Sequence, residues 1–230
     1  MNRIIKHLQA KTYQETKVFE AAKDLRYLLE RGYRRESALK PIVDKYQLSI
    51  NQRLLLYRAV YDASNAAKHK EKIVTADKTK DSKLAIDGYN VIITVESSLR
   101  GGLLVLCDDG FIRDISAVHG KHRITSTTEK ALGMLVKALQ ELKPYETIFF
   151  FDAQVSKSGE LASHVRRALK GSGLTGSAHA VERADVSTLN FGDIITTSDS
   201  VLISKAGAVF DLAGEILKNK YNAKILILHD

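Results

Sequence analysis

Leu84-Ala-Ile-Asp87-Gly88-Tyr89-Asn90 ends a short apolar run on a carboxylate and turns at once through a glycine. Three later stretches share the plan of an apolar run with a carboxylate at or just past its end: Ile148-Phe-Phe-Phe-Asp152, Ile194-Ile-Thr-Thr-Ser-Asp199 and Ile225-Leu-Ile-Leu-His-Asp230. Such runs, rich in β-branched and aromatic side chains, read as buried parallel strands, and open α/β sheets set their working groups beyond the strands' carboxyl ends. The expectation is that several acidic groups meet at one sheet edge. Crowded carboxylates repel and raise one another's pKa, so a cluster of them points to a hard divalent cation and to metal-assisted phosphoryl chemistry.

Outward from that segment, strands are expected at residues 84–86, 91–95, 147–151, 178–182, 193–197 and 224–228, with a hairpin at 103–107 and 111–115. Helical periodicity fills 127–142, 159–170 and 206–219. Strands alternating with helices argue for an α/β fold, a three-layer, mostly parallel sheet with the hairpin as an inserted antiparallel element. Upstream, Thr12 to Ala67 is helical. Val18, Ala21, Ala22, Leu25, Leu28 and Leu29 recur every three or four residues before Gly32, and further segments run from Glu36 to Tyr46 and onward from a Ser49 cap. Lys68 to Lys83 alternates lysine with acidic residues and reads as linker. The chain therefore divides into an all-α helical module with its linker, residues 1–83, and an α/β domain, residues 84–230. The Gln47-Leu48-Ser49 link resembles a helix-turn-helix that would present Asn51, Gln52, Arg53 and Arg58, although a plain helical bundle has the same pattern.

The 230 residues are 44% hydrophobic and 27% charged, ordinary for a soluble globular protein. One cysteine, Cys107, excludes an internal disulfide, and no apolar stretch approaches the roughly 20 residues that span a bilayer. With no signal-peptide pattern at the first residues, the expected location is cytoplasmic. The formal charge of +8 is uneven: residues 1–83 hold 19 Lys and Arg against 10 Asp and Glu, a balance of +9, and the remainder holds 16 against 17, a balance of −1. A basic module of this kind suits a polyanion, with a solvated helical surface as the plainer reading. The sequence is silent on oligomeric state, and a homo-oligomer is compatible with it.

In Asp87-Gly-Tyr-Asn90 the glycine turns the backbone so that the carboxylate can face a ligand while Asn90 offers a neutral oxygen or a phosphate-facing amide. Asp, Gly and Asn are also plain turn formers. His119-Gly-Lys121-His122-Arg123 is a basic, flexible loop suited to phosphate or simply exposed; no cysteine accompanies its histidines, which disfavours zinc. Other features read as structure. Asp108-Asp109-Gly110 is a hairpin turn, and Gly171-Ser-Gly173-Leu-Thr-Gly176 follows a helix where a dinucleotide fingerprint needs a strand. Ser126-Thr-Thr-Glu129 is a capping box, and Asp211 with Glu215 is a solvated helical pair.

Ile-Asp87-Gly-Tyr-Asn90-Val-Ile, then Phe-Phe-Asp152-Ala, then Thr-Thr-Ser-Asp199 resembles the PIN-like nucleases, in particular the NYN branch with the YacP-type ribonucleases. The resemblance covers roughly residues 84–215, and a helical segment before such a domain is similar to an uncharacterised archaeal family. It implies a small parallel sheet that binds Mg²⁺ or Mn²⁺ through Asp87, Asp152 and Asp199, with Asn90 as a supporting or phosphate contact, and that cuts RNA. It also implies a further acidic group in an Ala-Asp-Glu-like segment. Ala184-Asp185 fits best but is followed by Val186, and Asp193 competes from the start of its strand. Lys121, His122, Arg123, Arg53 and Arg58 are the candidate substrate contacts.

The leading expectation is a metal-dependent ribonuclease or related phosphodiesterase; the alternative is a catalytically silent nucleic-acid-binding protein that keeps the sheet as scaffold. A haloacid-dehalogenase-type phosphatase is disfavoured because Tyr89 stands where a second aspartate is needed. A P-loop enzyme is excluded for want of a Gly-Lys-Ser/Thr loop.

Overall fold

The computed structural model describes residues 13–115, 122–221 and 223–228. In chain order the first elements are α1 (Tyr13–Glu30), α2 (Arg35–Tyr46), α3 (Ile50–Ala59), α4 (Ala63–Lys70), β1 (Lys83–Asp87) and α5 (Gly88–Leu99). There follow β2 (Leu104–Leu106), β3 (Ile112–Asp114), α6 (Ser126–Leu142), β4 (Glu146–Asp152), α7 (Ser158–Gly171) and β5 (Gly176–Val181). The last are α8 (Ala184–Phe191), β6 (Ile194–Thr196), α9 (Ser200–Lys205), α10 (Leu212–Glu215) and β7 (Ile225–Ile227). The described residues fall into two compact units, one within Met1–Glu71, Gly102–Ser116 and Ala223–Asp230, the other within Lys72–Gly101 and Ala117–Asn222. This differs from a cut at residue 83. The β2–β3 hairpin and β7 pack with the helices because Val105, Cys107, Ile115 and Leu228 share one core with Ala21, Leu25, Leu39 and Leu56.

In the first unit, α1 ends where Gly32, at φ +79°, lets Gly32 N donate to Leu29 O and Tyr33 N donate to Leu28 O. Ser49 and Gln52 form a reciprocal capping box that starts α3. The sheet has the order β3-β2-β7, with β2 antiparallel to β3 and parallel to β7.

The hairpin turn carries more than turn chemistry. Asp109 is fully buried and accepts both guanidinium donors of Arg113 at 2.8 and 2.7 Å, with His69 Nδ1 at 2.9 Å. Burial opposes its ionisation, but the His69 hydrogen bond and the Arg113 charge outweigh burial and hold its carboxyl below the usual range. Asp108 accepts Arg26 Nε and Nη2 at 2.7 and 2.8 Å. His69 belongs to the stretch that composition marks as linker. That stretch is ordered: α4 continues to Lys70, a 3₁₀ turn follows at Ala76–Thr79, and Ile73 bridges to Val209. Its small, polar surface composition concealed two anchoring side chains, His69 and Thr79, both buried.

The second unit is α/β, built on a wholly parallel four-stranded sheet in the order β5-β4-β1-β6. Leu84, Ile86, Phe149 and Phe151 from the strands join Val91, Ile92, Leu135, Leu139 and Val165 from the helices in its core. Residues 91–95 are helical, not a strand. Asp87 caps α5 directly after β1, and Val91, Ile92, Ile93 and Val95 are buried, so tertiary packing overrides their β propensity. Gly88 is required at this junction, since a Cβ there would lie 2.3 Å from the Phe151 ring. The helix expected over 206–219 begins only at Leu212 and continues as a π-helical turn, Ile216–Lys220, because Val209 bridges in parallel to Ile195. The α6 capping box is Thr125 with Thr128, one residue earlier than expected, which leaves Glu129 to bond His164 Nδ1 at 2.6 Å. Among the described residues, no helix is long and apolar enough to cross a membrane.

Candidate functional site

From β1 the chain adds β4 and then β5 on one side and returns to lay β6 on the other, so the strand order reverses between β1 and β6. Open α/β sheets bind ligands at such a reversal, beyond the carboxyl ends of the strands. Asp87 is the last residue of β1 and caps α5; Asp199 follows β6 and caps α9, accepting Val201 N at 2.8 Å and Leu202 N at 3.0 Å. A threonine links them: Thr197 Oγ1 donates to Asp87 Oδ2 at 2.9 Å and accepts Asp199 N at 3.0 Å.

Burial pushes the Asp87 carboxyl up to about 6; the Thr197 hydrogen bond works against this, and the charges of Asp199 and Asp185 add to the rise. Asp185, in the first turn of α8, therefore shares the electrostatic neighbourhood of Asp87. Asp152 ends β4, the neighbouring strand, two residues beyond the partner of Asp87, and accepts Gln154 N at 2.9 Å. Its charge adds to burial in raising the Tyr89 hydroxyl to about 12. The Tyr89 ring centroid lies 5.2 Å from Phe151 and 5.7 Å from His122.

Asp193 lies at the other edge. It accepts Lys83 N at 3.0 Å at the start of β1, so it is remote from the carboxyl ends. Asn90 points its Oδ1 at Ser198, accepting N at 2.8 Å and Oγ at 2.9 Å; this oxygen ties α5 to the loop after β6 and is not free for a ligand. His122 is buried against Glu96, with Nε2 3.2 Å from both carboxylate oxygens, where a loop phosphate contact would need exposure. Arg123 is exposed, and Lys121 lies outside the described residues. Arg58 donates to Asp114 O at 2.6 Å, Arg53 pairs with Glu36 at 3.1 Å, and Gln52 serves its cap. Three of the four side chains a recognition helix would offer are thus bonded within their own unit.

Thr197 and Ser198, which the sequence shows only as a polar lead-in to Asp199, hold the site together. Hydroxyl residues directly after a buried strand were the available signal. Glu96 gave no such signal, since a single carboxylate inside an apolar helix marks neither a partner nor a site.

Among the described residues, Asp87, Asp152, Asp185 and Asp199 form no ion pair, and no group of three or more His, Cys, Asp or Glu side chains stands at metal-ligand spacing. Mg²⁺ is commonly held by one or two carboxylates with waters and substrate phosphates completing its shell. A half-buried Asp87 under like-charge pressure is compatible with that limited donor set.

Two family models match the chain: one described as a domain of unknown function (DUF5616), over residues 62–215, and one as a protein of unknown function (DUF434), over residues 17–72. A relative in Methanocaldococcus jannaschii, the uncharacterized protein MJ0935, is 33% identical over 201 residues, covering 86% of this chain and 96% of its own. No solved structure matches. With the first of these models spanning the reversal point and its carboxylates, the chain belongs to the DUF5616 family.

Proposed function

We propose that this protein is a metal-dependent ribonuclease or related phosphodiesterase whose second unit has a PIN-like, three-layer architecture. The observation that carries the reading is the raised, half-buried Asp87 at the strand-order reversal, with Asp199 and Asp185 acting on it electrostatically and Asp152 on the adjacent strand end. These carboxylates would hold Mg²⁺ or Mn²⁺, which supplies Lewis-acid activation of water and of the scissile phosphate when bound. Thr197 fixes the rotamer of Asp87 through its hydroxyl, and the amides of α9 fix Asp199, so both arrive oriented. The polyanion that the first 83 residues suit would be RNA.

A second reading, a catalytically silent nucleic-acid binder, draws on one observation. Asp87, Asp152 and Asp199 each accept a backbone amide from a residue two or three positions ahead, as structural caps do. The deciding experiment incubates the full chain with end-labelled single-stranded RNA and Mn²⁺. Cleavage that disappears with EDTA and in Asp87→Asn supports the nuclease; cleavage no higher than the Asp87→Asn background across varied substrates rejects it in favour of the binder.

A further inference from the structure

Tyr27, Tyr33 and Tyr57 leave 55%, 56% and 39% of their surface exposed, and all three stand at one end of the helical bundle. Three bonds bring that end together. Tyr33 N donates to Leu28 O at 3.2 Å, Arg35 Nη1 donates to Tyr57 O at 2.7 Å, and Ala63 N donates to Glu30 Oε1 at 2.6 Å. Guanidinium groups accompany the rings. Arg31 lies 3.5 Å from the Tyr27 ring centroid and Arg35 lies 5.7 Å from that of Tyr57. Among the described residues neither Arg31 nor Arg34 pairs with a carboxylate. Of the acidic neighbours, Glu36 pairs with Arg53, Glu30 accepts Ala63 N, and Asp62 interacts with Arg35.

Exposed flat rings interleaved with unneutralised guanidinium groups match a ligand that alternates π faces with negative charges. A single strand offers both, whereas a duplex buries its base faces. We infer that Tyr27, Tyr33 and Tyr57, with Arg31 and Arg34, form a stacking platform for the unpaired bases of single-stranded nucleic acid, Arg35 bracing it from beneath through the Tyr57 carbonyl. The choice of RNA rests on the nuclease reading; the platform does not. Arg53 and Arg58, expected from the sequence as substrate contacts, are bonded internally, as Arg35 is through the Tyr57 and Val60 carbonyls, so among the described residues the free cations of this surface are Arg31 and Arg34.

The test uses the full chain carrying Asp87→Asn, so that no probe is consumed, and reads the anisotropy of a labelled 15-nucleotide oligouridylate without divalent ions. Tyr27→Ala and Tyr57→Ala should each weaken binding by about 5- to 150-fold, with Tyr→Phe at the same positions retaining it. Arg34→Ala should lower the slope of log affinity against log salt by about 0.7. An abasic strand of equal charge needs no substitution in the platform and should bind more weakly than the oligouridylate. Equal binding of the abasic strand, unchanged binding by the alanine variants, or tighter binding of an acidic peptide or of anionic vesicles would overturn the platform. Base-dependent binding in a protein that shows no Mn²⁺-dependent cleavage would leave the platform standing and remove the nuclease.

Discussion

Replacing Asp87 by asparagine removes a charge that the folded state holds at a cost. Its carboxyl rises from 3.8 to about 6 on folding, and at roughly 1.4 kcal/mol per unit this corresponds to ~3 kcal/mol of destabilisation once the group is ionised. The folded state binds the proton more tightly than the unfolded chain, so this contribution favours folding fully below about pH 4 and is lost as pH climbs through about 6. The amide keeps one acceptor for Thr197 and gives up the long, 3.5 Å bond from Asn90 N. Subtracting about 1 kcal/mol for the lost acceptor and allowing for the residue's partial exposure leaves a net gain of ~1–2 kcal/mol at pH 7.5, about 2–8 °C in Tm for a chain of this size. Differential scanning calorimetry of both proteins from pH 4 to 8 reads the effect as a difference that opens with rising pH. Mn²⁺ should narrow it by stabilising only the aspartate form. A difference that stays flat across that range, or an asparagine variant that melts lower at pH 7.5, would refute the electrostatic account of the site.

Asp109→Asn breaks a buried ion pair with Arg113 and should cost about 3–5 kcal/mol in urea unfolding, where a mere turn residue would lose little. Gly88→Ala drives a methyl into the Phe151 ring and should lower stability by about 1–3 kcal/mol, seen as a reduced denaturation midpoint. Asp193→Ala removes the acceptor of Lys83 N at the amino edge, so a loss of about 1 kcal/mol with unaltered Mn²⁺-dependent cleavage is expected. A fall in cleavage there would place Asp193 in the site after all.

The strand ends were legible because a buried parallel strand is written as a continuous apolar run, and β1, β4 and β6 stop at or just before their acidic residues. The helix α5 was not, since Val91-Ile-Ile-Thr-Val95 has strand composition and only the Asp87 cap and the surrounding packing make it helical. Asp193 and Asp199 flank the same strand, and the run direction alone separates them. The engagement of His122 and Arg58 by internal partners was invisible for a different reason. A polar side chain's partner can lie far away in sequence, as Glu96 does for His122 and the Asp114 carbonyl does for Arg58. Local pattern reports which residues carry charge and not what neutralises them.

The first unit's sheet is completed by β7, whose residues follow every described residue of the second unit in the chain. Synthesis from the amino end therefore delivers α1 to α4 first but withholds one of the two partner strands of β2 until all of the parallel sheet has emerged. Domains form as soon as their own residues are available. The later unit in sequence is thus the earlier one able to finish, while the helical bundle waits with Val105 and its neighbours unpaired along one edge. A nascent chain stalled just before Ala223 should already protect the amides of β1 and β4 from exchange and leave open those β2 amides that bond β7 rather than β3.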